Sequence, residues 1–111
     1  MTETADVTHP VLIAVSRVPG AIFWRQNCGT FRTMDGRRVV KASSIDGLGD
    51  IMGTYRGRSV AIETKTKRGT QRTSQIRFQN AFERAGGIYI IARSVEDALT
   101  ALAHLEVSDH G

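Results

Sequence analysis

The chain has little cysteine, few prolines and no long apolar run. One cysteine, Cys28, stands among 111 residues. It excludes an internal disulfide and a cysteine-cluster zinc site, and a reducing compartment suits it best. No stretch approaches the roughly 18–20 apolar residues of a membrane span. The opening segment "MTETADVTHP" has neither the basic n-region nor the apolar h-region of a secretory signal, so the expectation is a cytoplasmic protein. Internal repeats and low-complexity linkers are also absent.

What remains is ordinary globular composition, 41% hydrophobic and 23% charged. The length suits one domain over 1–111, with frayed ends at about 1–6 and 106–111. Such a domain buries a core without disulfides. The net charge of +4 and sequence pI near 9.8 permit a polyanionic partner. Base is concentrated in two places, Arg32, Arg37, Arg38 and Lys41, then Lys65, Lys67, Arg68, Arg72 and Arg77. Acid gathers towards the ends, at Glu3 and Asp6, then Glu96, Asp97, Glu106 and Asp109.

Local patterns predict an α/β domain. "HPVLIAVSRV" reads as a helix with Thr8 as a candidate N-cap and Pro10 in its first turn, ended by Pro19-Gly20. "AIFWRQN" reads as a strand. "FRTMDGRRVVKA" carries Asp35-Gly36 between two β-like runs, a hairpin signal. "DIMGTYR" and "SVAIETKT" read as antiparallel strands joined at Arg56-Gly57. From Arg72 to Arg84 the period turns helical, with Phe78, Phe82 and Ala85 on one stripe and Ala81 widening it, and Gly86-Gly87 stops the helix. "IYIIA" is a short strand, and Ser94 caps a final amphipathic helix with Asp97 three residues on. The expected order is α-β-β-β-β-α-β-α, a central mixed sheet flanked by helices.

The chemistry concentrates in "SVAIETKT". Alternation along a strand puts Val60 and Ile62 on one face and Ala61, Glu63 and Lys65 on the other. The Val60/Ile62 face is expected under the helices. The open face then carries a carboxylate and an ammonium about 7 Å apart along the strand. A hairpin about Arg56-Gly57 brings Asp50 level with 63–65. Two carboxylates at one sheet end make a hard-oxygen site suited to Mg²⁺ or Mn²⁺. Such a site polarises a phosphate oxygen and activates water, while Lys65 orients or deprotonates that water or stabilises the pentavalent charge. An isolated Glu-x-Lys is more often a solvated surface pair worth little, and a lone Asp50 a turn residue. Three features weigh against that bland reading here: the strand is otherwise apolar, a second carboxylate lies a hairpin away, and Gln75 stands at the N-terminal end of a helix stripe that is otherwise apolar. Gln75 is aimed at the sheet, where an active-site water or phosphate would sit, or it is a partly exposed helix-start glutamine.

"GLGDIMG", "VAIETKT" and the run "QIRFQNAFERAGGIYIIARSVEDAL" together resemble the VRR-NUC domains, small nucleases of the PD-(D/E)xK superfamily. The resemblance covers roughly 23–102. It implies a restriction-endonuclease-like fold and a catalytic set of Asp50, Glu63 and Lys65. The Thr64 carbonyl becomes a further metal ligand, and Gln75 matches the family's helix glutamine. The family usually adds an acid on its first helix. Here that helix has none, so Glu3 or Asp6 takes the role, His9 substitutes, or a second metal is not held. Stand-alone members resemble dimeric enzymes that cut four-way DNA junctions, often of phage origin. The resemblance therefore implies a Mg²⁺- or Mn²⁺-dependent endodeoxyribonuclease, a homodimer without small-molecule cofactor or membrane attachment, acting in the host cytoplasm if phage-encoded. Arg32, Arg37, Arg38, Lys67, Arg68 and Arg72 would contact phosphates. Phe23, Trp24 and Phe31 are dimer contacts or, more commonly for such aromatics, core. The rival readings are a flap, nick or end nuclease, and a domain of the same fold that binds DNA without cutting it. Cys28, His104 and His110 are read as uninvolved.

Overall fold

The computed structural model describes residues 3–26, 30–32, 37, 39–41 and 50–109, with side chains described over 7–26, 37 and 50–105. The elements in chain order are α1 (Glu3–Ser16), β1 (Ala21–Arg25), β2 (Thr30–Arg32), β3 (Val39–Lys41), β4 (Ile51–Tyr55), β5 (Arg58–Thr64), α2 (Thr73–Arg84), β6 (Ile88–Ala92) and α3 (Val95–Asp109). This is an α/β fold with a four-stranded mixed sheet ordered β1-β4-β5-β6 and a separate two-stranded β2-β3 sheet.

The β4-β5 hairpin organises the main sheet. Arg56 and Gly57 both have positive φ, 51° and 84°, as the two central positions of a type I′ turn require. That turn sets Ile51 opposite Ile62 and Gly53 opposite Val60. β1 adds antiparallel to β4, while β6 adds parallel to β5. A parallel neighbour needs a crossover, and α2 supplies it. A Schellman motif ends α2: Gly86 at φ 95° donates its N–H to the Glu83 carbonyl, and Gly87 donates to that of Phe82.

One face of the sheet carries Phe23, Ile51, Tyr55, Val60, Ile62, Ile90 and Ala92. There they meet Val11 and Val15 of α1 and Ala98 and Leu102 of α3, all in one buried cluster. The Val60/Ile62 face thus packs under α1 and α3. The other face is covered by α2 on its β6 side, where the Phe78 ring packs tilted against Tyr89 with centroids 6.1 Å apart.

Several expectations change. Five strands precede α2, not four, because both arms of the 30–41 hairpin are strands; its Asp35-Gly36 turn lies outside the described residues. α1 begins at Glu3, so Thr8 is an interior residue and not an N-cap, and Pro10 lies inside the helix. Pro10 has no N–H for the carbonyl of Asp6, four residues back. The helix persists because Thr8, Val11 and Val15 form one fully buried stripe. On α2, Gln75 is buried and Phe78 and Phe82 half-buried, while Ala81 and Ala85 are exposed. α3 continues to Asp109, through residues expected to fray. No described helix is long and apolar enough to cross a membrane.

Candidate active site

Asp50 sits in the bend before β4, one residue beyond the Ile51–Ile62 pair and level with Glu63. The Lys65 N–H donates to the Ala92 carbonyl on β6, so alternation points the Thr64 N–H the other way, towards β4. Asp50 receives it there: Oδ2 accepts from Thr64 N–H at 2.8 Å and from the Thr64 hydroxyl at 3.0 Å. The carboxylate thereby takes a ladder position that a longer β4 would have filled with backbone. Thr64 Oγ1 also meets the Thr8 hydroxyl of α1 at 2.5 Å. The single Thr64 hydroxyl proton goes to the carboxylate, so Thr8 is the donor to Thr64. A chain Thr8–Thr64–Asp50 therefore runs from α1 to the sheet end.

Glu63 is fully buried. Its Oε1 accepts from the Tyr89 hydroxyl at 2.6 Å and from Gln71 Nε2 at 3.0 Å. Its Oε2 has no hydrogen-bond partner, and the Lys65 ammonium stands 3.5 Å away. Lys65 keeps a small solvent window, with 16% of its side chain exposed. The parallel register explains Tyr89: it lies opposite Ala61, on the same face as Glu63. Gln71 belongs to the loop that leads into α2, and its Nε2 also donates to Gln79 Oε1 at 2.8 Å. Burial raises the Tyr89 pKa well above the usual tyrosine range, and its hydrogen bond to Glu63 raises it further. The phenol therefore stays protonated and remains a donor. A buried carboxylate with one satisfied oxygen and one oxygen beside a single ammonium is costly in a folded chain.

The open face expected for Glu63 and Lys65 is not open. α2 and its leading loop close it, because the crossover from β5 to β6 must pass over that face. This burial removes the solvated-pair reading. Of the two readings of Gln75 the buried one holds, and its Oε1 accepts the Arg72 N–H at 2.8 Å and caps the helix. The glutamine that touches Glu63 is Gln71. Among the described side chains of α1, Thr8 reaches the sheet end; His9, one residue on, is exposed. Glu3 and Asp6 lie in α1, with side chains outside the described residues. Lys67, Arg68 and Arg72 are exposed on the loop beside the site, and Arg37 is exposed. Arg32 lies on β2 with its side chain outside the described residues, as does Phe31; Arg38, Cys28 and His110 are outside altogether. Phe23 is core, Trp24 on the edge strand is 48% exposed, and His104 is exposed on α3.

The donor set fits a small divalent cation in kind. Asp50 and Glu63 are hard oxygen donors at the same sheet end, and the buried Glu63 Oε2 lacks any hydrogen-bond donor. Among the described residues no group of three or more His, Cys, Asp or Glu side chains gathers, so these two carboxylates and the backbone around Thr64 are what the described chain offers. Tyr89, Gln71 and Thr8 carry no signal in a single sequence, since each reaches the site through tertiary register. In comparisons with known proteins, no family model matches this chain and no curated protein matches it significantly.

Proposed function

We propose that the chain is a metal-dependent endodeoxyribonuclease with the PD-(D/E)xK fold, acting at Asp50, Glu63 and Lys65. The observation that carries the reading is the fully buried Glu63, whose unsatisfied Oε2 lies 3.5 Å from Lys65 with Asp50 level across the hairpin. The chemistry supplied by Mg²⁺ or Mn²⁺ held there is polarisation of a phosphate oxygen and a bound water of lowered pKa. Asp50 and Glu63 would hold it, with the Thr64 carbonyl as a further donor. Lys65, partly exposed, is placed to orient the attacking water and to stabilise negative charge building on the phosphate. Thr64 and Thr8 fix the Asp50 carboxylate, and Tyr89 and Gln71 fix that of Glu63. Lys67, Arg68 and Arg72 neutralise backbone phosphates without reading sequence.

Branched DNA, in particular the four-way junction, is the proposed substrate, and a two-fold dimer would match its symmetry. A second reading, DNA binding without cleavage, draws on Thr8: among the described side chains of α1, a hydroxyl and not an acid meets the sheet end. End-labelled four-way junction, flap and linear duplex DNA, incubated with Mg²⁺ or Mn²⁺, separate these readings. Paired symmetric cuts confined to the junction, lost in Lys65→Ala, are expected. Salt-sensitive binding with no cutting of any substrate would favour the second reading.

A further inference from the structure

The two oxygens of Glu63 have opposite surroundings. Oε1 takes two donors, the Tyr89 phenol at 2.6 Å and the Gln71 amide at 3.0 Å, while Oε2 takes none. The Gln71 orientation is dictated by charge: reversed, its carbonyl oxygen would face the carboxylate and Gln79 Oε1 at once. Gln79 is tied in turn to Glu83, with Nε2 3.4 Å from Oε2. Tyr89 is held by the sheet below and by the Phe78 ring above. The carboxylate is therefore clamped against rotation from two elements, β6 and the loop before α2.

We infer that Tyr89 and Gln71 set the ion selectivity of this site, by occupying Oε1 so that Glu63 offers a single oxygen. This rests on the metal-binding part of the proposed function. A larger ion such as Ca²⁺, with oxygen ligands at about 2.3–2.6 Å, gains from a carboxylate that gives both oxygens; Mg²⁺, at about 2.0–2.1 Å, takes one. Holding Oε1 with two donors thus disfavours Ca²⁺ and leaves Mg²⁺ and Mn²⁺ unpenalised. Tyr89 and Gln71 are positioning residues: they act through Glu63 and are not assigned contact with ion or DNA.

The test is calorimetric titration of Mn²⁺ alone and of Ca²⁺ alone into wild type, Tyr89→Phe, Gln71→Leu and Glu63→Gln, with a thermal melt of each. Tyr89→Phe keeps the ring on Phe78, and Gln71→Leu lies in a loop, so one covers for the other if folding fails. The expected result is Mn²⁺ binding that is lost in Glu63→Gln and weakened about tenfold in Tyr89→Phe and Gln71→Leu. Ca²⁺ binding should hold or tighten in those two variants, so the Ca²⁺-to-Mn²⁺ affinity ratio rises. A merely structural role would weaken both ions together. Folded variants with an unchanged ratio, in a protein whose Mn²⁺ binding still needs Glu63, would overturn the inference and leave the nuclease reading standing. Wild type that binds no Mn²⁺, or Glu63→Gln that binds it equally, would overturn both.

Discussion

Glu63 has an ammonium, a phenol and an amide for company, and none of the three is dispensable to a carboxylate without solvent. Lys65→Met removes its one counter-charge while keeping the stem, and the loss of a partner from a buried ion pair costs about 3–5 kcal/mol. The Lys65 window to solvent puts the expected loss at the lower end, roughly 3 kcal/mol by urea unfolding; a variant as stable as wild type would contradict the ion pair's role in holding Glu63. Tyr89 carries a pH signature of its own. Its folded-state pKa is raised above the unfolded value of about 10, so the unfolded chain loses this proton first as pH rises. Its contribution is intact below about pH 10 and is lost progressively above it. Alkaline denaturation should therefore be shallower in Tyr89→Phe than in wild type; superposable alkaline profiles would contradict the assignment. Asp50, Glu63 and Lys65 were legible in the sequence because strand alternation and one I′ turn suffice to bring them together. Tyr89 and Gln71 were not, because the first depends on the β5-β6 register and the second on the path of a crossover loop. The partner of Gln75 was unreadable for a related reason: helical spacing gives the face of a side chain and not its hydrogen-bond partner, and here the Arg72 N–H takes its Oε1.

The hairpin, α2 and β6 were readable from turn chemistry and period, and β1 approaches β4 most tightly at one particular glycine. Gly53 faces Phe23 across β1-β4, and a Cβ there would stand 2.1 Å from the Ile22 carbonyl oxygen and 2.5 Å from the Phe23 ring. The ring can turn, but the carbonyl is strand backbone. Gly53→Ala should cost about 1–3 kcal/mol, read as a lower thermal midpoint; an unchanged midpoint would mean that β1 pairs more loosely than described. The start of α1 is not readable locally: Pro10 signals a first turn, whereas burial of Thr8, Val11 and Val15 carries the helix past it from Glu3. Another element-level device is Arg93, whose Nη1 donates to the Thr66 and Gly69 carbonyls at 2.6 Å each and holds the loop that presents Gln71. Arg93→Ala should speed amide exchange at Gly69, whose N–H closes that turn on the Thr66 carbonyl.

At the scale of the molecule, helices α1 and α3 fill one face of the sheet and α2 closes the site end of the other. Base is displayed beside that end on Lys67, Arg68 and Arg72, so affinity for any DNA should fall steeply with salt. The charge pattern was visible in the sequence; that Lys67, Arg68 and Arg72 stand exposed on the loop leading into α2 was not, because it depends on the path of the crossover. The proposed hydrolytic centre is a buried Glu63, an Asp50 anchored by Thr64 and a partly exposed Lys65. Its most direct test is the rate of four-way-junction cleavage against Mg²⁺ concentration, for wild type and Lys65→Ala, with DNA affinity measured in parallel without metal. Saturable, Mg²⁺-dependent cleavage by wild type is expected, with a fall of about 10²–10⁴ in Lys65→Ala and binding retained. Equal cleavage by both proteins, or none by wild type with any divalent ion, would contradict it.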